Sequence, residues 1–504
     1  MRILTAEQHR ALDQATLEQD GITSLQLMER AATAWARRFQ VLYPDKERPV
    51  TVLCGPGNNG GDGLVIARLL RLEAYTVSAI CANLAPASAD NKSNRRRAKD
   101  VGVRMRELEE GDPLPTPPAG GLLIDALFGT GLSRPITGYW AKLVDHLNEQ
   151  SVTRVAVDLP SGLRTDSPSE GAIVRAERTL SLGYPKLALY APSNTAYLGE
   201  WELVAFPLAT PPENADDPTK QLDLTGVARL LRPRHANDHK GTFGHALLVA
   251  GAFGKMGAAV ISARAILRAG AGLVTVHIPR VGYEIMQISL PEAMCRVDQH
   301  RYHLTGVAHP ERYDAVGIGP GIGTQDPTPE AVFDLLRATS RPLVADADAL
   351  NILSAHPEHL ADLPPNSILT PHPKEFERLF GKTDDDFARW RLQRAKAREL
   401  NCVVLLKTGY TSIATPDGRM YFNTTGNPGM GTGGTGDALT GVVTGLLVQG
   451  YAPDVAARLG VYLHGLAGDL AADALGQESL LAEDLVGHLG DAFRQLHQAR
   501  KSDQ

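Results

Sequence analysis

The sequence predicts two α/β domains, each a doubly wound, mainly parallel sheet with helices on both faces. Two observations support this prediction. Short, continuously apolar runs rich in β-branched residues alternate with longer helical segments in both halves of the chain. Between the halves lies Pro207–Thr219, a segment rich in proline and acidic residues that is typical of a linker. Because 504 residues exceed what one hydrophobic core normally supports, we expect domains at residues 1–210 and 222–504.

The elements follow from the apolar patterns in chain order. The region Met1–Phe39 has helical rhythm, and a helix is also predicted at 64–72, after a glycine-rich loop. Strands of the first half are predicted at 50–54, 75–81, 122–127 and 152–159. Strands of the second half are predicted at 245–250, 273–278, 315–318, 343–345, 367–370 and 402–407. Ligands of such sheets bind at the carboxyl ends of the strands, so the loops there are the candidate sites.

Composition excludes several classes of protein. The 51 Lys and Arg against 57 Asp and Glu give a net charge of −6, with no basic footprint for nucleic acid. We interpret the cluster Arg95–Arg97 as the solvated face of a helix. The N-terminus lacks a signal-peptide core and no later stretch has membrane character, so we expect a cytoplasmic protein that does not bind membranes. The four scattered cysteines and the spacing of the histidines at 235, 239 and 245 favour neither a disulfide framework nor a metal site.

The glycine-rich loop 55–63, GPGNNGGDG, lies between a predicted strand and a predicted helix. Its backbone N–H groups are suited to a phosphate at a helix N-terminus. A dinucleotide-binding Rossmann site also requires an acidic residue at the end of the second strand, where this chain has Asn83 and Leu84. An ordinary NAD-dependent dehydrogenase is therefore disfavoured.

Carboxylates follow two further strands of the first half. Asp125 precedes FGTGLSRP, and Asp158 precedes LPSG. Carboxylates at the ends of parallel strands commonly face a cleft, where they bind cations or transfer protons. The sequence around Ser161 lacks the first glycine of the G-x-S-x-G motif, so a serine hydrolase is disfavoured. Lys186, in GYPK, is either a partner of a carboxylate or a solvated side chain.

The motifs NNGGDG, DALFGTGL, VDLPSG and GYPKLAL, in this order, resemble the NAD(P)H-hydrate epimerase family over roughly residues 1–210. The resemblance implies a Rossmann-like domain that interconverts the two C6 epimers of hydrated NADH or NADPH. It assigns Asp158 and Lys186 to proton transfer, and a potassium ion to Asn59, Asp125 and Ser161. It also implies the following contacts with the hydrate: Asn58, Asn59, Gly60, Gly61, Asp62, Gly129, Thr130, Gly131, Leu132, Ser133, Arg134, Pro135 and Asp158.

The strongest local signal of the second half is 426–437, GNPGMGTGGTGD, which precedes an apolar helical segment. Backbone N–H groups of Gly434–Gly436 would form a nest for phosphate charge at the start of that helix. Asp437 beside this nest is placed to accept a proton from a hydroxyl that attacks phosphorus. No P-loop motif is present.

The GTGD pattern resembles the ribokinase-like superfamily, and the other motifs narrow this. HKGTFG, GIGPGIG, DADALN, TPHPKEFERL and KTGYT resemble the ADP-dependent NAD(P)H-hydrate dehydratases over roughly residues 222–495. The resemblance implies a ribokinase-like α/β domain that uses ADP and Mg²⁺. It assigns the catalytic role to Asp437, and hydrate contacts to Ala258, Gly321, Gly323, His372 and Asp437. The implied contacts with ADP are Lys407, Thr408, Gly409, Tyr410, Thr411 and Gly436.

Together the resemblances imply a repair enzyme with two activities. The first would epimerise the R and S hydrates; the second would phosphorylate the S hydrate with ADP and eliminate phosphate, giving NAD(P)H and AMP. Two alternatives stay open: a small-molecule kinase with an N-terminal nucleotide-binding module, and a catalytically idle N-terminal half. Homo-oligomerisation is expected by analogy with the families.

Overall fold

A computed structural model of the chain describes residues 1–132, 134–211 and 219–502. The predicted site residue Ser133 and residues 212–218 of the predicted linker lie outside this part. The described residues form two compact units. The N-terminal unit comprises the described residues of 2–215 together with 385–387, and the C-terminal unit comprises residue 1 and the remainder.

The N-terminal unit is built on a parallel sheet. Its described strands have the order β3-β2-β1-β4-β5-β6-β7, and every pair of neighbours is parallel. The order reverses at β1 and β4, so the loops after these two strands open at the topological switch point. The strands are β1 Val50–Cys54, β2 Val77–Ala82, β3 Arg104–Leu108, β4 Leu122–Ala126, β5 Thr153–Val157, β6 Arg178–Leu182 and β7 Glu200–Val204. The helices are α1 Ala6–Asp20, α2 Ser24–Leu42, α3 Asn58–Leu72, α4 Ala89–Asp100, α5 Gly138–Asn148 and α6 Thr195–Leu198.

Helix α3 begins at Asn58, six residues before the predicted start at Leu64, so the predicted boundary is wrong. The glycines of this segment are helical because α3 packs closely on the sheet. A Cβ atom on Gly60 would lie 1.8 Å from the Gly55 carbonyl oxygen, and one on Gly63 would lie 2.5 Å from the Ala126 Cβ. The glycines therefore allow close approach of helix and strand, although glycine generally disfavours helices.

The C-terminal unit has a larger, mixed sheet. Its described strands have the order β11-β10-β9-β12-β13-β14-β15-β16-β17-β8. The pairs β15–β16 and β16–β17 are antiparallel and all others are parallel. The strands are β8 Thr219–Gln221, β9 His245–Val249, β10 Leu273–Ile278, β11 Met294–Val297, β12 Ala315–Ile318, β13 Leu343–Ala345, β14 Ile368–Leu369, β15 Val403–Leu406, β16 Ser412–Ala414 and β17 Met420–Phe422. The helices are α7 Leu224–Ala228, α8 Met256–Arg268, α9 Tyr283–Ser289, α10 Thr328–Ala338, α11 Ala347–Ala355, α12 Pro373–Phe380, α13 Asp386–Glu399, α14 Thr435–Val448, α15 Pro453–Leu475 and α16 Ala482–Ser502.

The α/β fold class is confirmed in both units, and the C-terminal sheet contains two antiparallel strand pairs that the sequence did not predict. The short strands β16 and β17 extend the sheet beyond β15 as an antiparallel meander. Each of them has three residues, too few for a periodic signal in the sequence.

Helix α14 is the central helix of the C-terminal unit. It is buried from Ala438 to Val448 and packs closely against α8. A Cβ atom on Gly441 would lie 2.3 Å from the Ser262 carbonyl oxygen, and one on Gly445 would lie 2.6 Å from that of Ile266. This close packing fixes the N-terminus of α14, where the predicted nest lies. Among the helices of the described chain, none is both long enough and apolar enough to cross a membrane.

Candidate active sites

A cleft of about 710 Å³ lies in the N-terminal unit, where the loops after β1, β4 and β5 meet helix α1. Asp158 and Lys186 line it together with the start of α3. Among the residues predicted to contact the hydrate, the cleft brings together Asn58, Asn59, Asp62, Gly129, Thr130, Gly131, Leu132, Arg134 and Asp158. Gly60 and Gly61 are buried in α3 behind this surface, and Pro135 is not part of the lining.

Asp158 and Lys186 form a buried ion pair at the end of the cleft. The Lys186 Nζ lies 2.6 Å from the Asp158 Oδ1, and the two side chains keep only 1% and 10% of their exposure. Burial alone would raise the pKa of Asp158, but the ammonium of Lys186 outweighs it and holds the pKa below its ordinary value. Asp158 therefore stays ionised. Its φ of +72°, rare for a residue other than glycine, directs the chain out of β5 at this point.

The amine of Lys186 is fully engaged in the protein. Besides Asp158, it donates to the carbonyls of Leu182 at 2.7 Å and Tyr184 at 3.3 Å, and to the Ser181 hydroxyl at 3.2 Å. An ammonium has three N–H groups, and four acceptors already surround this one. The geometry therefore makes Lys186 the counter-ion of Asp158.

Asp125 and Ser161, two residues predicted to bind potassium, are in direct contact beneath the cleft. The Ser161 amide and hydroxyl donate to Asp125 at 2.7 Å and 2.6 Å, and the Phe128 amide donates to the Ser161 hydroxyl at 2.8 Å. Burial raises the pKa of Asp125 to about 6 although these hydrogen bonds oppose the shift. Asn59 lies beside Gly129, on the loop after β4, and its buried Nδ2 has no hydrogen-bond partner. This amide nitrogen cannot ligate a cation, but the oxygen atoms of Asn59, Asp125 and Ser161 are of the type that a hard monovalent cation prefers.

Helix α1 contributes two side chains to the cleft that sequence reasoning did not single out. His9 and Asp13, four residues apart, lie on one face of α1 and line the cleft near Asp158 and Lys186. No motif marks them, because they belong to an amphipathic helix far from the strand ends. The i, i+4 spacing of two ionisable residues is the only signal the sequence offers.

In the C-terminal unit, α14 begins at Thr435, within the segment where the phosphate nest is predicted. Gly434 is the N-cap residue with a φ of +92°, a conformation that favours glycine. The Thr435 hydroxyl donates to the carbonyls of Met430 and Thr432, both at 2.9 Å, which fixes the preceding loop. Asp437 lies in the first turn of α14. Burial and then repulsion by Asp346 raise the pKa of Asp437 to about 6.

Lys407, predicted to contact ADP, lies directly against this nest. A Cβ atom on Gly436 would be 3.6 Å from the Lys407 Nζ. The Lys407 amine forms an ion pair with the buried carboxylate of Asp346, whose Oδ1 lies 2.6 Å away. The Oδ2 of Asp346 accepts a hydrogen bond from the Thr440 hydroxyl at 2.7 Å. Glu375 lies 4.0 Å from the same amine. Asp346, in DADALN, is a site residue to which the sequence analysis assigned no role.

The remaining predicted residues of this unit lie in the first turn of α8, at the start of α12 and on loops after strands β12 and β15. A Cβ atom on Gly321 would be 3.2 Å from the Ala258 Cβ, and the Gly323 amide donates to Asp348 at 2.8 Å. The His372 Nδ1 caps α12, and burial and then Lys407 lower the pKa of the ring. The loop after β15 contains Gly409 and is held by two local hydrogen bonds. The Thr408 hydroxyl donates to the Tyr410 carbonyl, and the Thr411 hydroxyl donates to the Thr408 carbonyl. No cluster of three or more His, Cys, Asp or Glu side chains suited to a metal occurs among the described residues.

Two family models match the chain, one in each half. The model described as YjeF-related protein N-terminus matches residues 24–188, and that described as NAD(P)H-hydrate dehydratase matches residues 246–489.

Similar proteins extend over nearly the full length. A bifunctional NAD(P)H-hydrate repair enzyme of Moorella thermoacetica is 37% identical over 99% of this chain and 98% of its own length. One of Thermofilum pendens is 34% identical over 99% and 97%, and one of Escherichia coli 32% identical over 93% and 89%. Among solved structures, an ADP/ATP-dependent NAD(P)H-hydrate dehydratase from Bacillus subtilis, co-crystallised with ATP and Mg²⁺, covers 55% of this chain and 98% of its own, with 31% identity and a TM-score of 0.49.

Proposed function

Because the chain belongs to the family of bifunctional NAD(P)H-hydrate repair enzymes, we propose that its two units carry out successive steps of one repair. The N-terminal unit, corresponding to residues 1–210, epimerises C6 of hydrated NADH or NADPH. The C-terminal unit, corresponding to residues 222–504, dehydrates the S epimer at the expense of ADP. One observation carries the proposal: each site holds a carboxyl group whose pKa is shifted by its neighbours. Asp158 is paired with Lys186, and Asp437 lies at the start of α14 with a raised pKa.

In the epimerase site, we expect the hydrate to lie in the cleft with its C6 hydroxyl near Asp158. The ionised carboxylate accepts the hydroxyl proton, and Lys186 keeps that carboxylate charged. The backbone at the start of α3, residues 129–132 and Arg134 hold the rest of the dinucleotide. A potassium ion bound by the oxygens of Asn59, Asp125 and Ser161 would neutralise the buried Asp125 and so fix the loop after β4.

In the dehydratase site, the N–H groups at the start of α14 and the amine of Lys407 bind the phosphates of ADP. Asp437 accepts the proton of the C6 hydroxyl of the hydrate. The hydroxyl oxygen attacks the β-phosphorus of ADP, and AMP leaves. Loss of phosphate from C6 and of a proton from C5 then restores the double bond. Mg²⁺ would supply additional charge stabilisation to the phosphates.

The test is recovery of NADH from hydrate prepared as separate R and S epimers, with ADP and Mg²⁺ added to the purified protein. We expect absorbance at 340 nm to return fully from either epimer, with one AMP formed for each NADH. A small-molecule kinase would instead consume nucleotide with no return of absorbance, and an idle N-terminal half would leave the R epimer unrepaired beyond its spontaneous rate.

A further inference from the structure

Epimerisation by the proposed route requires a proton donor as well as a base. If Asp158 accepts the hydroxyl proton, cleavage of the C6–N1 bond places negative charge on N1, which must be protonated. Lys186 does not supply this proton, because its three N–H groups are directed to four protein acceptors and its side chain is 1% exposed. The donor must therefore be another side chain of the cleft.

Few side chains of the cleft can hold a proton for this step. Burial and then Lys186 lower the pKa of His9 to about 3, so the ring is neutral at neutral pH, and its Nε2 is fully buried. The titratable residues lining the cleft are His9, Arg10, Asp13, Asp62, Asp90, Arg134, Asp158 and Lys186. Arginines remain charged and are poor acids, which leaves the carboxyl groups.

Asp13 is the carboxyl group that helix α1 contributes to the lining of the cleft. It lines the cleft wall while keeping contact with solvent, whereas its neighbour Leu12 is buried in the unit. Helix α1 is anchored on both sides of Asp13: the Leu4 amide donates to Pro185 at 3.0 Å, and the Ala209 amide donates to the buried Thr16 hydroxyl at 3.0 Å. Pro185 precedes Lys186, so this anchoring holds Asp13 in fixed relation to the Asp158–Lys186 pair.

We propose that Asp13 is the general acid of the epimerisation and acts opposite the base Asp158 in the same cleft; this inference rests on the proposed function. Asp158 takes the proton of the C6 hydroxyl, the C6–N1 bond breaks to leave an aldehyde at C6, and Asp13 gives its proton to N1. After the aldehyde has turned its other face to N1, the steps reverse. N1 returns its proton to Asp13 and attacks C6, and Asp158 returns its proton to the oxygen. No proton or electron is gained or lost overall.

The electrostatics of the cleft support opposite roles for the two carboxyls. Burial within the cleft walls and then the charge of Asp158 raise the pKa of Asp13 to about 6, although Asp13 keeps contact with solvent. The pKa of Asp158 is instead held below its ordinary value. Carboxyl groups whose pKa values are driven apart are the usual acid and base pair of such sites. For Asp62, burial and then Asp158 and Asp13 raise the pKa well above its ordinary range, which suits a hydrogen-bond donor that keeps its proton.

The test compares three variants of the full chain: Asp13→Asn, Asp62→Asn and the control Glu7→Gln, which changes an exposed carboxyl in the first turn of α1. The rate of R-to-S conversion is measured by NMR without ADP from pH 5 to 9, after subtraction of the uncatalysed rate, and thermal unfolding of each variant is recorded. Wild-type kcat/KM should fall as the pH rises above about 6, because the acid form of Asp13 is lost.

Asp13→Asn should lower kcat roughly 100-fold, with little change in KM, and should abolish the decline above pH 6. Glu7→Gln should behave as wild type. The inference is overturned if Asp13→Asn keeps the wild-type rate or pH profile, or if Asp62→Asn rather than Asp13→Asn removes the decline. If the wild-type protein itself fails to convert R into S hydrate, the proposed function is what fails.

Discussion

The ion pair between Asp158 and Lys186 allows a quantitative test of how the N-terminal site holds its charge. At 2.6 Å, with an effective dielectric constant of about 20, the gross attraction is about 6 kcal/mol. Desolvation of both groups offsets part of it, so Lys186→Met, which leaves a buried carboxylate without its partner, should lower the free energy of unfolding by about 3–5 kcal/mol. Asp158→Asn should cost less, about 2–3 kcal/mol, since the ammonium keeps three neutral acceptors and asparagine tolerates a positive φ.

The double variant of Asp158→Asn with Lys186→Met removes both charges. Its cost should therefore fall at least about 2 kcal/mol short of the sum of the single costs. Hydrogen exchange of peptides from β5 and β6 in the intact chain measures these changes for the N-terminal unit alone. Because the pKa of Asp158 is lowered by folding, the pair stabilises the protein above about pH 4, and this contribution is lost as the pH falls below that value. A cost of less than about 1 kcal/mol for Lys186→Met, or strict additivity, would refute a desolvated, ionised pair.

Three further predictions concern the other charged groups. Since Asp437 must be ionised to act as base and burial raises its pKa to about 6, kcat/KM for the S hydrate should fall below about pH 6, and Asp437→Asn should lower kcat at least ~100-fold at every pH between 5 and 9. Asp346→Asn removes the anion that holds the Lys407 amine in place, so KM for ADP should rise about tenfold while KM for the hydrate stays unchanged. The control Asp334→Asn, which changes an exposed ion pair, should alter neither constant. Asp125→Asn removes the buried charge that attracts a cation, so epimerisation should no longer respond when potassium chloride replaces choline chloride; a retained response would exclude Asp125 from the cation site.

Most of the fold was predictable because buried parallel strands have a strong sequence signal. The strands at 273–278, 315–318 and 343–345 lie where the apolar runs predicted them, and the strand β1 ends at the predicted glycine loop. The start of α3 was misplaced because glycine usually signals a loop, and only the tertiary contact with β1 and β4 explains a helical glycine there. The meander β15–β16–β17 was missed because its added strands are too short for periodicity.

The candidate sites were predictable where function coincides with strand ends and motifs. The loop that carries Asp158 and the helix start that carries Asp437 lie where the sequence pattern predicted candidate sites, and roles were given to their residues by resemblance to families. Partners distant in sequence were not predictable. Asp346 and Lys407 are separated by 61 positions and meet only through the order of the sheet. Asp13 lies on a helix that packs over the cleft from the beginning of the chain, which no local pattern indicates.

The most direct test of the central claim, that two separate sites act in sequence on one substrate, is complementation between two inactive variants. Pure R hydrate is given to Asp158→Asn, to Asp437→Asn, and to an equal mixture of both, with ADP and Mg²⁺, and NADH is followed at 340 nm. Asp158→Asn should form NADH no faster than spontaneous epimerisation supplies S hydrate, whereas Asp437→Asn should accumulate S hydrate and form almost no NADH. The mixture should restore rapid recovery. Failure of the mixture to form NADH, although each variant keeps its intact activity, would contradict the account.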